Sequence, residues 1–315
     1  MSEIRSYHGQ PVLKEPIWTW EIPCYFFTGG LAGASAGLAY LSELRGEDEL
    51  ARRAWVAALA GVGMSPLLLI SDLGRPARFL NMLRMFKVTS PMSVGSWILS
   101  ASGATTTVAA AHAWFGLFPR LSRVARPLAA VLGLPLSTYT AALVTNTAVP
   151  VWHEAREGLP FVFAAGAGLS AGAAAIALTA PEQAQSARRL ALAGSVAELA
   201  GQKLMQRRIG EHAEAYEEPT PKRLEQAAQA GLVAGTALVA ARGRSSRLAA
   251  AVGGGLMLAG ALATRWSIFK AGFASAADPK YVVGPQRAGI KAGARAGAAR
   301  TQPRASASSR TESVS

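Results

Sequence analysis

The chain has 315 residues, half of them hydrophobic and only 16% charged, with a positive mean hydropathy. A soluble protein of this length carries about a quarter charged residues, so a bilayer is the expected solvent. The single cysteine, Cys24, excludes an internal disulfide framework and a multi-cysteine metal cluster. The net charge of +13 reads as cytoplasmic Lys and Arg of a polytopic membrane protein, with no nucleic-acid partner.

In chain order, an N-terminal cytoplasmic segment (1–20) leads to a first apolar span at 22–44, introduced by W-T-W-E-I-P-C-Y-F. This block starts too far in, and without a basic leader, to be a secretory signal. Glu21 sits where a negative charge favours a helix N-terminus, and Tyr25 lies near the start of the span. Gly29, Gly33 and Gly37 share one face, the pattern that lets membrane helices approach closely.

The second span, 54–72, ends at Asp72 in S-D-L-G-R-P-A-R-F-L-N-M-L-R. A carboxylate in a last helical turn faces the negative dipole end and needs a cation, for which Arg75 and Arg78 are the nearby candidates. Gly74 and Pro76 are expected to turn the chain back. Phe79, Met82, Leu83 and Phe86 then follow helical spacing, with Arg78, Asn81, Arg84 and Lys87 on the other half. This predicts a short amphipathic helix at the membrane surface, either a headgroup anchor or a functional surface.

A third span, 92–116, opens with S-P-M-S-V-G-S-W, which ends at Trp97, and the fourth, 127–151, carries Tyr139. A buried tyrosine hydroxyl needs a partner, and one near a cleft is placed to donate to a ligand carbonyl. Further spans are read at 158–180, 188–206, 224–242 and 247–266, rich in Ala and Gly. About 18–20 apolar residues cross a bilayer core as helix, so the total is about eight. Glu198 and Lys203 lie five apart in the sixth, which does not stack them on one face. They are read as a local ion pair or snorkelling groups, with a proton path as the alternative. The segment 271–315 closes the chain, disordered from about 288.

Eight spans put both termini on one side, and the basic tail assigns that side to the cytoplasm of a cell-membrane protein. A two-histidine haem is not expected. His112 and His153 fall on opposite sides, and His8 and His212 lie outside the spans. No metal-ligand spacing and no glycine-rich phosphate loop is present, so the chain has no recognisable redox centre of its own.

The run S-D-L-G-R-P-x-R-F-x-N-M-L-R followed by S-P-M-S-x-G-S-W resembles the NrfD/PsrC family of membrane subunits of polysulfide-reductase-type complexes. Similar support comes from W-x-W-E-I-P-x-Y-F-F-x-G-G-L-A-G, from Y-T-A-A-L-V-x-N-T-A-V-P-V-W, and from A-G-x-x-S-A-x-D-P-K-Y-V-V-x-P-Q-R at 271–287. The resemblance implies an all-α polytopic fold of about eight helices, arranged as two four-helix bundles, without haem or iron–sulfur cluster. It implies exchange of electrons between menaquinone or ubiquinone and a ferredoxin-like iron–sulfur subunit that serves a molybdopterin oxidoreductase subunit. Tyr25 and Tyr139 match the family's quinone ligands, although some relatives carry His at the first position. Glu21 and Asp72 are then candidates for proton transfer, and Arg75, Arg78, Arg84 and Trp97 for structural or partner-facing roles. A secondary transporter, or a membrane anchor without a quinone site, are the rival readings.

Overall fold

The computed structural model describes residues 13–75 and 77–281. Arg5, His8, Pro76, the 282–287 part of the C-terminal signature and the basic tail lie outside them. The described residues form helices joined by short loops and contain no strand. In chain order they form α1 (Glu21–Leu44), α2 (Asp48–Asp72), α3 (Arg78–Met82), α4 (Pro91–Phe115) and α5 (Pro119–Thr145). They continue as α6 (Pro150–Glu154), α7 (Leu159–Leu178), α8 (Gln185–Arg208), α9 (Pro219–Arg242) and α10 (Arg247–Ala277).

Four of these, α2, α5, α7 and α10, are long and apolar enough to cross a membrane. Large apolar side chains face outward on the long helices: Leu67 is 63% exposed, Val131 61%, Leu134 71% and Val196 64%. Such surface suits lipid and is unfavourable in water. Several helices outrun the apolar blocks because polar pairs support their ends. The first turn of α2 is built on Glu49, which takes Arg53 at 2.8 Å and Arg52 at 2.5 Å. The tight α1–α2 link turns on Gly46 at φ +72°, a conformation that favours glycine.

Helix α1 packs on α2, α5 and α7; α4 packs on α2 and α5; α7, α8, α9 and α10 pack in sequence, with α10 also against α7. Glycines set the separations. Gly33 and Gly133 lie backbone to backbone, where a Cβ on either would overlap the other's carbonyl. A Cβ on Gly172 would stand 2.6 Å from the Ala187 carbonyl, and one on Gly194 would stand 2.5 Å from the Leu169 amide. Without a hydrophobic drive between helices in lipid, this close approach supplies the packing energy.

The ends of the long helices alternate, so the N-terminus of α1, the α2–α4 connection, the α5–α7 connection and the end of α10 gather at one end. Trp152 on α6 anchors that end. Its indole N–H donates to the Ile268 carbonyl at 2.8 Å, its ring stacks on Trp18 at 5.6 Å, and it fills the space that a side chain at Gly272 would take.

Candidate functional site

The polar groups singled out in the first half of the sequence converge at this end. Tyr25 is buried on α1 and meets Tyr139 on α5 edge to face, with ring centroids 6.3 Å apart. Both line one small cavity together with Asp72, Trp18, Met82 and Ser96. The Tyr25 hydroxyl is fully buried and has no hydrogen-bond partner among the described residues. A buried donor left unmade is unfavourable by about 1–3 kcal/mol, which makes this hydroxyl an open donor on a side chain that lines the cavity.

The motif S-P-M-S-V-G-S-W acquires a residue-by-residue meaning here. Ser90 caps α4 by accepting the Ser93 amide at 3.4 Å, and Pro91 occupies the first turn. The Ser93 hydroxyl donates to the Met85 carbonyl at 2.9 Å and accepts the Lys87 amide at 3.1 Å. Gly95 lies directly under the Tyr139 ring, in space that a Cβ would occupy, so glycine here is what lets the ring sit over the cavity. Trp97 is 40% exposed, donates to the Met85 carbonyl at 3.4 Å and meets Phe86 edge to face. These bonds hold residues 85–87 against the first turns of α4. They also explain why α3 is only five residues long: Phe86 lies beyond it, exposed, and does not continue the expected amphipathic face.

Asp72 is not compensated by Arg75 or Arg78, as the helix-dipole argument expects. Among the described residues no cation lies within ion-pair distance of it. Instead the Thr19 hydroxyl lies 3.0 Å from its Oδ1 and the Thr19 amide 3.4 Å. The same hydroxyl contacts Glu21 Oε2. Thr19 thus joins the two carboxylates, one from the start of α1 and one from the end of α2. A hydroxyl carries one hydrogen and cannot donate to both. At any moment it therefore donates to one carboxylate only. Arg75, Arg78 and Arg84 are exposed around the turn at Gly74, whose φ is +64°.

The enclosed free volume is about 30 Å³, room for roughly one water. Its covers are movable: Met82 comes from α3, and Met92 from the first turn of α4. Methionine side chains repack readily, and the segment between α2 and α4 is mostly exposed. Trp18 separates the cavity from a neighbouring depression of about 250 Å³, lined by Ile17, Val149 and Trp152 among others.

A second polar cluster lies in the other half. Glu198 on α8 pairs with Arg265 on α10 at 3.4 Å, both almost wholly buried. The guanidinium also donates to the Phe163 carbonyl at 3.1 Å and lies over that ring at 4.1 Å, in space left by Gly166. Lys203, the expected neighbour of Glu198, is exposed instead. Arg265 and Thr19 are the two residues that sequence reasoning missed. Arg265 had a usable signal, an arginine inside an otherwise apolar run, but the eighth span was read as ending beside it, whereas α10 runs on to Ala277.

The described part of the C-terminal signature, 271–281, packs at the end of α10 against the α5–α7 and α8–α9 connections. Ser275 accepts the Val151 amide at 3.4 Å, Tyr281 stacks on His212 at 5.6 Å, and Lys280 reaches Glu214 at 3.0 Å. That carboxylate holds the Lys280 ammonium well above its usual range.

No curated protein matches the chain. Residues 7–209 match the family model described as polysulphide reductase, NrfD, which takes in the Tyr25–Tyr139 cavity, Asp72 and Glu198. The chain belongs to the NrfD family, as a multi-pass membrane subunit of an oxidoreductase complex of the polysulfide-reductase type.

Proposed function

We propose that this subunit binds a quinone or quinol at the Tyr25–Tyr139 cavity and passes electrons between it and an iron–sulfur subunit of a molybdopterin enzyme. The observation that carries the reading is the buried Tyr25 hydroxyl, without a partner among the described residues, on a side chain that lines a cavity with Tyr139 and Asp72. Menaquinone and ubiquinone both present the carbonyl oxygens that such a donor requires. The ring enters by displacing Met82 and Met92, since the closed cavity is too small for it.

In this reading all eight long helices, in two groups of four, cross the bilayer, with both termini on the cytoplasmic side. Quinol oxidation releases two electrons and two protons. Tyr25 and Tyr139 hold the oxygens, while Asp72, Thr19 and Glu21 relay the two protons, one after the other, from the cavity toward the exposed end. The electrons leave to a cluster in the partner, and the reverse sequence reduces quinone. The exposed Arg75, Arg78 and Arg84, with the loop that Trp97 pins, supply a basic surface around the cavity for that partner.

The test is quinol-dependent turnover of the assembled complex. Tyr139→Phe is expected to lower it about tenfold, the value of one hydrogen bond to substrate, while the complex still assembles. Unchanged turnover would remove the pocket assignment. Transport of a solute by the chain alone in liposomes would replace it with a transporter.

A further inference from the structure

A larger space lies on the opposite half of α1. It is a furrow of about 570 Å³ between α1, α5, α7 and α8, walled by Gly37, Leu41, Leu134, Gly168 and Leu190, with Arg45 at one end. Its volume is that of a ligand pocket, about 300–1,000 Å³. Gly33, which lines it, lies backbone to backbone against Gly133. Beside that contact Gly37 is open, and a Cβ added there meets nothing within 4 Å. Leu41 and Leu134, 51% and 71% exposed, form the rims.

The polar atoms in its wall are already engaged. Ser137 and Thr138 donate to carbonyls of their own helix at 2.8 and 3.3 Å, and Ser186 donates to Glu47 at 2.7 Å. Apart from Arg45, no open donor of the described residues lines the furrow to hold a quinone ring. At its end the balance is different. Glu43 is taken by Arg126 and Trp55, whereas Arg45 is exposed and makes no ion pair among the described residues. From Gly33 to Arg45 the furrow follows α1 for about 18 Å at 1.5 Å per residue. One leaflet of a hydrocarbon core about 30 Å thick spans about 15 Å. An apolar slot one leaflet deep, ending at a guanidinium, matches an acyl chain with its phosphate at the headgroup level.

We propose that this furrow binds one anionic phospholipid, an acyl chain lying against Gly37 and Gly168 and the phosphate on Arg45. The site is separate from the Tyr25–Tyr139 cavity and depends only on the chain's crossing the bilayer. It places a lipid in the seam between the first four long helices and the second four.

Native mass spectrometry of the full-length protein, with phosphatidylglycerol or phosphatidylcholine as the added probe, tests it. The wild type should retain one phosphatidylglycerol in preference to phosphatidylcholine. Arg45→Gln should remove about fivefold of that preference, the effect of one basic side chain at an anionic surface. Gly37→Leu should fill the slot and lower retention of both lipids. Because Arg45 is exposed, R45Q decides the matter even if G37L does not fold. Equal retention of the two lipids with no effect of R45Q would overturn the proposal. So would loss of co-purifying quinone, rather than phospholipid, from G37L, which would make the occupant an isoprenoid tail.

Discussion

The two polar clusters of this molecule use similar residues for opposite ends. In the second half, Glu198 and Arg265 are sealed between α7, α8 and α10, their charges compensated by each other and by the Phe163 carbonyl. In the first half, Glu21 and Asp72 share a threonine at the rim of a cavity and have no cation beside them among the described residues, while Tyr25 keeps an unused donor inside it. Unused hydrogen-bonding capacity does not by itself separate them, since Glu198 Oε2 and Arg265 Nε are also buried without a partner among the described residues. The difference is place: one cluster is an ion pair inside the packed core, and the other borders a cavity.

The comparison breaks first at the sealed pair. Glu198→Leu leaves Arg265 charged in a low-dielectric core and should destabilise the protein by about 3–5 kcal/mol. Glu198→Leu with Arg265→Met should recover most of that loss, both measured by thermal unfolding in detergent. A double variant as unstable as the single would mean that the cluster does more than pair charges.

Gly95→Ala comes next. The added methyl strikes the Tyr139 ring, so it should cost about 1–3 kcal/mol and displace the ring from the cavity. Quinol turnover should fall with it, whereas Gly103→Ala on the same helix, where a Cβ meets nothing within 4 Å, should change neither.

Thr19 yields a smaller and more selective effect. Thr19→Val keeps the shape and removes the hydroxyl that joins Glu21 to Asp72, and turnover should drop about tenfold, the value of one hydrogen bond. Thr19→Ser should restore it. Equal loss in both variants would assign Thr19 to packing.

Much of the first cluster was legible because its parts sit in compact motifs. The positions in S-P-M-S-V-G-S-W have local duties in capping, loop fixing or ring clearance, so the motif and the structure describe one object. Tyr25 and Tyr139 stand in apolar helices where a phenol is conspicuous, and the fold brings their rings together. What escaped depended on contacts distant in sequence. The partner of Asp72 is Thr19, which no local rule for a helix C-terminus would select over the arginines two and five residues on from Leu73. The partner of Glu198 is 67 residues away on α10, while Lys203, near in sequence, points elsewhere. The α3 helix stopped early because Ser93 and Trp97 bind the backbone that would have continued it. Helix type follows from local pattern, but the choice among several nearby cations is made by packing.

The most direct test is binding of a short-tail quinone to the purified protein and its Tyr25→Phe variant, with thermal stability measured alongside. Removing a buried hydroxyl that has no partner among the described residues should leave the melting temperature unchanged or raise it, while the quinone dissociation constant rises about tenfold. An unchanged dissociation constant would contradict the account, as would a fall in stability with no change in quinone binding.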